Sequence, residues 1–395
     1  MRWRNPWSHD RGRIKGYYGL SDRGSETMLR ALSRSRAAAA ACALALSAPA
    51  AQACTSFILR AADEGVVYGR TMEFGLPLQS QLAVIPRKLA MAGTGPDGTA
   101  GGGLAWTSKY GAAGANALGL PVLVDGMNEA GLAGGLLYLP GLAQFQQVGP
   151  SEARNSIASF ELLTYALTNF ASVAEVKAAL PKIKVSQAPQ AAFKGVVPVH
   201  MTLHDATGAS LVVEYIGGEL QMRDNPLGVL TNAPAFDWHT ANLGNYLTLS
   251  AYDPKPLQIG SLTIAPPSTG SGAPGLPGQM SSPARFVRAF MYSRAAPTLP
   301  TSTDAVGNAF HILNNFDIAP GIIRTSADAT AGGGVAGIET TEWSAVSDTK
   351  TKRYYLRTYA DSQSRMIDLT KADLDATAIR TIPIDKPGAV VDLSR

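Results

Sequence analysis

Beyond residue 53 the hydrophobic and polar positions fall first into short extended runs, a strand pattern. Thr55–Arg60, Val66–Phe74, Leu82–Pro86 and Leu132–Tyr138 read as β-strands. From Ser156 to Leu180 the spacing changes. Phe160, Leu163, Leu167, Val173, Val176 and Leu180 recur at helical intervals and Pro181 stops them, which predicts two helices meeting near Phe170-Ala171-Ser172. Met201–His204 and Ser210–Tyr215 bracket Asp205-Ala206-Thr207-Gly208, a hairpin signal, and Leu220–Met222 continues the sheet. Ser282-Pro283 places a cap and a proline at a helix start, and Asp304 to Phe316 supplies another helix. Trp343–Val346 and Arg353–Tyr359 pair across Ser347-Asp348-Thr349-Lys350. Strand-rich blocks separated by helical ones predict stacked sheets covered by helices. No internal repeat interrupts the order, and the Gly/Pro-rich stretch 253–281 reads as an assembly or pocket loop.

The N-terminal segment departs from this pattern. Arg30, Arg34 and Arg36 precede the apolar run Ala37–Ala50, and Ala51-Gln52-Ala53 carries the small residues of a cleavage site. Residues 1–53 therefore read as an export signal that is removed, with Met28 as an alternative start. The apolar run is shorter than the ~20 residues of a membrane span. A periplasmic or secreted protein with no membrane span is the expectation. Charge supports the division: the 395-residue chain is formally +4, and residues 1–53 hold nine Lys/Arg against three acids, a net +6, which leaves −2 for 54–395. The body thus gives no electrostatic reason to expect nucleic acid.

Removal of the leader changes the cysteine chemistry. Of the two cysteines, Cys42 leaves and Cys54 becomes the first residue, so no internal disulfide forms. A thiol on the first residue lies beside a free α-amine of pKa ~7.7–8.0, which can take the thiol proton and return it to a departing amine. Two other readings compete. Bacterial lipoproteins also begin at a cysteine after a signal, although Ala51 and Gln52 fit their box poorly, and a cysteine opening a strand can simply be buried. Position alone leaves these open. Other templates find little support. His200, His204, His239 and His311 form no HExxH, so no metal is expected. There is no GxSxG elbow. Gly270-Ser271-Gly272-Ala273-Pro274-Gly275 matches GxGxxG but lies in a proline-rich loop, so no cofactor is expected. His239 and His311 read as hydrogen-bonded packing residues.

Ordered motifs then decide. Cys54-Thr55-Ser56-Phe57 with Tyr68-Gly69-Arg70-Thr71-Met72-Glu73-Phe74 resembles the opening of the choloylglycine hydrolases (bile salt hydrolases) and penicillin V acylases. Val124-Asp125-Gly126-Met127-Asn128-Glu129, Leu230-Thr231-Asn232-Ala233-Pro234, Ser282-Pro283-Ala284-Arg285-Phe286 and Phe310-His311-Ile312-Leu313-Asn314-Asn315 follow in family order. The resemblance covers essentially all of 54–395. It implies a single α+β catalytic domain, the αββα four-layer sandwich of N-terminal-nucleophile hydrolases, acting on a small-molecule linear amide. Conjugated bile salts, phenoxyacyl penicillins and N-acyl homoserine lactones are the substrate classes it leaves open, as it leaves open a homo-oligomer, dimer or tetramer.

Carried over, the resemblance makes Cys54 the nucleophile, puts Arg70 beside the thiol, aims the Asn232 amide at the oxyanion and makes Arg285 a second active-site arginine. Glu73 stands where the family usually has an aspartate holding the α-amine. Tyr138 falls where bile salt hydrolases usually carry asparagine and penicillin acylases often tyrosine. Its backbone N–H can complete an oxyanion hole while its ring reshapes the pocket, which points away from bile salts. The residue types suit the chemistry: an aligned oxyanion donor is worth ~3–4 kcal/mol, a guanidinium favours thiolate, and a carboxylate orients an ammonium. Stretches 75–110 and 141–155 are expected to shape the pocket.

Overall fold

Strand β1 (Cys54–Arg60) begins at the cysteine itself and pairs antiparallel with β2 (Val66–Phe74). The structure, a computed structural model, describes residues 54–193, 195–325, 337–384, 388 and 392–394, all within one compact unit. The export-signal reading falls on residues 1–53, outside the described residues. β2 is buried along its whole length although it carries Arg70 and Glu73. A central strand that buries an arginine and a glutamate is shaped by more than packing, because unpaired buried charge is unfavourable by several kcal/mol.

Both large sheets are antiparallel. The first runs β1, β2, Gly337–Asp348, Arg353–Thr358 and Arg365–Asp368, with Ile323–Thr325 as a side strand. Its pairing with β2 shifts between Thr341 and Trp343, a bulge at Glu342 opposite the Met72–Glu73 step. The second has eight strands, from Glu219–Asp224 at one edge to Arg380–Pro383 at the other. Its centre is Val199–His204, Ala133–Tyr138, Leu123–Asn128 and Ala112–Asn116, followed by β3 (Gln81–Ile85). The sheets stack face to face: Tyr68 and Tyr354 of the first both donate to Asp125 of the second. Helices α1 (Leu162–Asn169) and α2 (Val173–Ala179) follow the second sheet, α1 packing on its central strands. After the short α3 (Phe236–Asn242), helices α4 (Ser282–Ala295) and α5 (Ser302–Leu313) cover the first sheet. The result is the expected αββα sandwich.

Several expectations are refined. Ser156–Ala158 is a strand paired in parallel with Lys184–Ser186, and α1 starts only after a 3-10 turn at Ser159–Glu161. Glu161 accepts from the Ala158 and Thr94 backbone N–H groups and so fixes this exit. The cap of α4 is Ser281, without a side-chain cap bond; Ser282 is instead the first helical residue, and its hydroxyl accepts from the Asn232 N–H. The 253–281 stretch carries a small ribbon, Leu257–Ile259 with Leu262–Ile264, whose apolar residues are exposed. Ala112–Asn116 escaped the sequence reading. A Cβ on Gly114 would stand 2.0 Å from the Asp125 carbonyl oxygen and 2.6 Å from the Gly126 Cα, so small residues are selected there by backbone approach.

Candidate active site

Cys54 faces Met72 across the β1–β2 ladder and is buried, 2% exposed. Its Sγ lies 3.8 Å from Met72 Sδ and 3.6 Å from Arg70 Nη2. The segment carrying Asn232 lies against β1 through the reciprocal bonds Ser56 N–H to Leu230 O (2.9 Å) and Leu230 N–H to Ser56 O (3.1 Å). This brings the Asn232 side chain onto the cysteine backbone: the Cys54 N–H donates to Asn232 Oδ1 at 2.6 Å. Arg285, on α4, donates to the Cys54 carbonyl, to Thr55 Oγ1 at 2.8 Å and to Asn232 Oδ1 at 2.8 Å.

Asn232 is held from every direction. Its N–H donates to Ser282 Oγ (2.9 Å), its carbonyl bonds His239 Nε2 (2.9 Å), and its Nδ2 donates to the Tyr138 carbonyl (2.9 Å). His200 bonds the neighbouring Thr231 carbonyl at 2.8 Å and turns its other nitrogen to Glu214 at 3.0 Å. His239 is buried and stacked on Phe286, as expected of a packing histidine, but it also anchors Asn232; His311 is exposed. Ladder geometry orients Tyr138. Leu139 N–H donates to Pro198 O, so the Val199–Tyr138 pair is the non-hydrogen-bonded kind. The Tyr138 N–H therefore points to the same edge as its carbonyl, toward Asn232. One Asn232 N–H and the Tyr138 N–H can thus converge on an oxyanion.

Arg70 is fully buried. Nη1 donates to Val124 O (2.6 Å) and lies 3.4 Å from Asp125 Oδ2, and Nη2 donates to Leu136 O (2.5 Å). Glu73 is on the other face of β2 and accepts from Thr341 Oγ1 at 3.1 Å; its Oε2 has no partner among the described residues. The structure thus brings Cys54, Arg70, Asn232, Arg285 and Tyr138 together, while the Cys54 N–H goes to Asn232 and not to Glu73. Burial pushes Glu73 up to about 8 against the opposing charge of Arg285, and Glu339 up to about 7 in the same way. Asp125 is pushed up to about 6 by burial, with Arg70 and two tyrosine hydroxyls opposing.

An apolar cavity opens at the sulfur, with an empty volume of about 600 Å³ including its mouth. Met72 and Phe74 form one wall, Leu118, Val122 and Val124 a second, and Phe193 with Val199 a third. The Tyr138 ring stands edge-on to Phe74 at 6.0 Å, and burial pushes its hydroxyl up to about 12. Of the stretches 75–110 and 141–155, only the first lines the cavity, through Leu78. The 117–124 and 190–199 segments contribute more, alongside Phe160, Leu136 and Tyr138, since β-strand ends and the loop before Val199–His204 converge there. Among the described residues no group of three His, Cys, Asp or Glu could hold a metal ion, and no helix is long and apolar enough to cross a membrane.

Four layers enclosing a buried cysteine at the start of the first sheet's edge strand, beside an apolar cavity, have the architecture of an amide hydrolase of the N-terminal-nucleophile class. The chain belongs to the choloylglycine hydrolase family of linear amide C–N hydrolases, whose model matches residues 54–382. A bile salt hydrolase/transferase of Clostridium perfringens is 30% identical over 336 residues, 84% of this chain and 97% of that protein. A solved variant of the conjugated bile acid hydrolase from Clostridium perfringens superposes with TM-score 0.73 at 28% identity, covering 86% of this chain and all of that one. Penicillin V acylase from Agrobacterium tumefaciens gives TM-score 0.67 at 28% identity, over 84% and 91% of the two chains.

Asp125, Tyr68, Tyr354, His200 and Glu214 had no role in the sequence reading. The available signal was the burial of polar residues in strands: all five are at most 2% exposed.

Proposed function

We propose that the chain is an exported amidase that uses Cys54 as an N-terminal nucleophile once residues 1–53 are removed. The observation that carries this is the Cys54 geometry: sulfur at the cavity and beside Arg70, backbone nitrogen against Asn232 Oδ1. The α-amine takes the thiol proton and sulfur attacks the amide carbon. The oxyanion accepts from Asn232 Nδ2–H and the Tyr138 N–H. As the C–N bond breaks, the ammonium returns its proton to the leaving amine, and water then hydrolyses the acyl thioester. Arg70 favours thiolate, Arg285 holds Asn232 and the Cys54 carbonyl, and Glu73 supplies negative charge for the α-ammonium.

Among the described residues the cavity walls are mostly apolar, with Arg70, Tyr138 and Gln190 as the hydrogen-bonding side chains besides Cys54. With Tyr138 as one wall, this favours a slim apolar or flat aromatic acyl chain over a hydroxylated steroid. Penicillin V and N-acyl homoserine lactones are the proposed substrate types, and the periplasm or exterior the proposed location. The experiment is intact mass of the exported protein followed by hydrolysis of penicillin V, an N-acyl homoserine lactone and glycocholate. Expected are an unmodified chain starting at Cys54 and kcat/KM lowest for glycocholate. Full activity with Ala53 still attached would sink the mechanism, an acylated Cys54 would favour a lipoprotein, and preference for glycocholate would overturn the pocket reading.

A further inference from the structure

We propose that Asp125 is a positioning residue for the hydrolysis, holding the Arg70 guanidinium so that one of its nitrogens faces the Cys54 sulfur. Both side chains are 0% exposed, and Asp125 is the ion-pair partner of Arg70 among the described residues. The carboxylate is itself fixed from the other sheet strands: Tyr354 donates to Oδ1 at 2.9 Å and Tyr68 to Oδ2 at 3.0 Å. With Nη1 tied to Asp125 and Val124 O, and Nη2 to Leu136 O, the remaining direction of Nη2 meets the adjacent sulfurs Cys54 Sγ at 3.6 Å and Met72 Sδ at 3.7 Å. The Trp343 ring lies under the guanidinium, 5.5 Å from centroid to Cζ. Gly135 closes the cluster. A Cβ there would stand 2.6 Å from Tyr68 Oη, 2.7 Å from Arg70 Nη1 and 2.8 Å from Asp125 Oδ2.

The two carbonyl oxygens of Val124 and Leu136 could hold a guanidinium by geometry, but only a carboxylate compensates its buried charge. Without Asp125 the arginine is free to leave the sulfur for any better-solvated position. The inference rests on Cys54 being the nucleophile, and its test separates the two. Alkylation of Cys54 by iodoacetamide, followed across pH, needs no substrate and reports how strongly the thiolate is favoured. Arg285, Glu73 and Tyr138 also face this site and are unchanged in the variants, so a moved midpoint reports Arg70.

Asp125→Asn should lower kcat on penicillin V about a hundredfold, the order expected for ~1 Å of misplacement, with KM nearly unchanged and the alkylation midpoint moved upward. Tyr354→Phe should do the same in smaller measure, roughly tenfold for one hydrogen bond to a charged group. Gly135→Ala keeps every charge and should also raise the midpoint. If Asp125 only dampened the charge of Arg70, Asp125→Asn would move the midpoint down and Gly135→Ala would leave it in place; either result in folded protein overturns the proposal. Should Asp125→Asn not fold, an unmoved midpoint and kcat in Tyr354→Phe overturn it equally. Failure of the nucleophile reading looks different: Cys54→Ala would still cleave penicillin V.

Discussion

The two arginines beside Cys54 are held in opposite ways. Arg70, on the sulfur side, has a carboxylate at 3.4 Å that is itself bonded by two tyrosine hydroxyls. Arg285, on the backbone side, makes its hydrogen bonds among the described residues to neutral oxygens of Met280, Cys54, Thr55 and Asn232. The carboxylates that interact with its charge, Glu73 and Glu339, each keep one oxygen without a partner among the described residues, and burial pushes them to about 8 and about 7. The sulfur side is a closed ion pair, complete before any chemistry. On the backbone side burial makes the carboxylates hold their protons more tightly than usual, and a cation placed beside them would loosen that hold. An α-ammonium on Cys54 would be such a cation, so the difference between the sides matches their proposed roles: fixed aim for the thiol, adjustable charge for the base.

Stability should separate the two arginines most strongly. Arg70→Met removes a closed ion pair, so that Asp125 must either stay charged and unpaired in the interior or take up a proton, and breaking a buried pair in this way typically costs about 3–5 kcal/mol. Arg285→Met strands no closed pair, because Glu73 and Glu339 can stay protonated, so its loss at pH 7 should be smaller. Urea unfolding at pH 7 measures both. If Arg285→Met proves the more damaging, the distinction between the sides is lost. Arg70→Met/Asp125→Asn should recover part of the first loss, since the stranded charge is gone.

The pH dependence of stability probes chiefly the backbone side. Glu73 is raised from 4.5 to about 8 in the folded chain. The folded state therefore holds this proton more tightly than the unfolded one, and the associated stability is complete below about pH 4.5 and lost as pH rises through 8. At ~1.4 kcal/mol per unit this amounts to a few kcal/mol. Glu73→Gln should flatten the fall in unfolding free energy between pH 5 and 8 in a chain that retains Ala53, leaving the smaller slopes from Asp125 and Glu339. In the processed chain the α-ammonium should pull Glu73 down, so that the wild-type slope is already shallower. Equal slopes for the two forms would mean that Glu73 does not feel the amine.

How much of this was legible depends on where each signal resides. β1, β2 and the 199–216 hairpin announce themselves by runs of branched and aromatic residues, and Cys54, Arg70, Asn232 and Arg285 lie in ordered motifs. Ala112–Asn116 carries no such run; its strand exists because Gly114 lets two backbones meet. Asp125 stood inside a recognised motif, yet its partner Tyr354 is 229 residues away on the opposite sheet. Contacts made by stacking two sheets have no period along the chain. For the same reason the cavity wall at Phe193 and Val197 was out of reach while Leu78, in the 75–110 stretch, was not.

Tyr138 belongs to both sides and tests them with the smallest effect. Its carbonyl accepts from Asn232 Nδ2 at 2.9 Å, while its ring lines the cavity edge-on to Phe74. Burial pushes the hydroxyl up to about 12, so near pH 7 the side chain is uncharged and its ring contributes shape and stacking. Backbone contacts survive replacement of the side chain, and pocket changes of this size are worth ~1–3 kcal/mol between substrates. Tyr138→Asn should therefore narrow the kcat/KM ratio of penicillin V to glycocholate by roughly 10- to 100-fold, while the iodoacetamide midpoint of Cys54 stays where it was. A changed midpoint with an unchanged substrate ratio would place Tyr138 with the charge network, not the acyl pocket, and the two sides of the site would no longer meet at this residue.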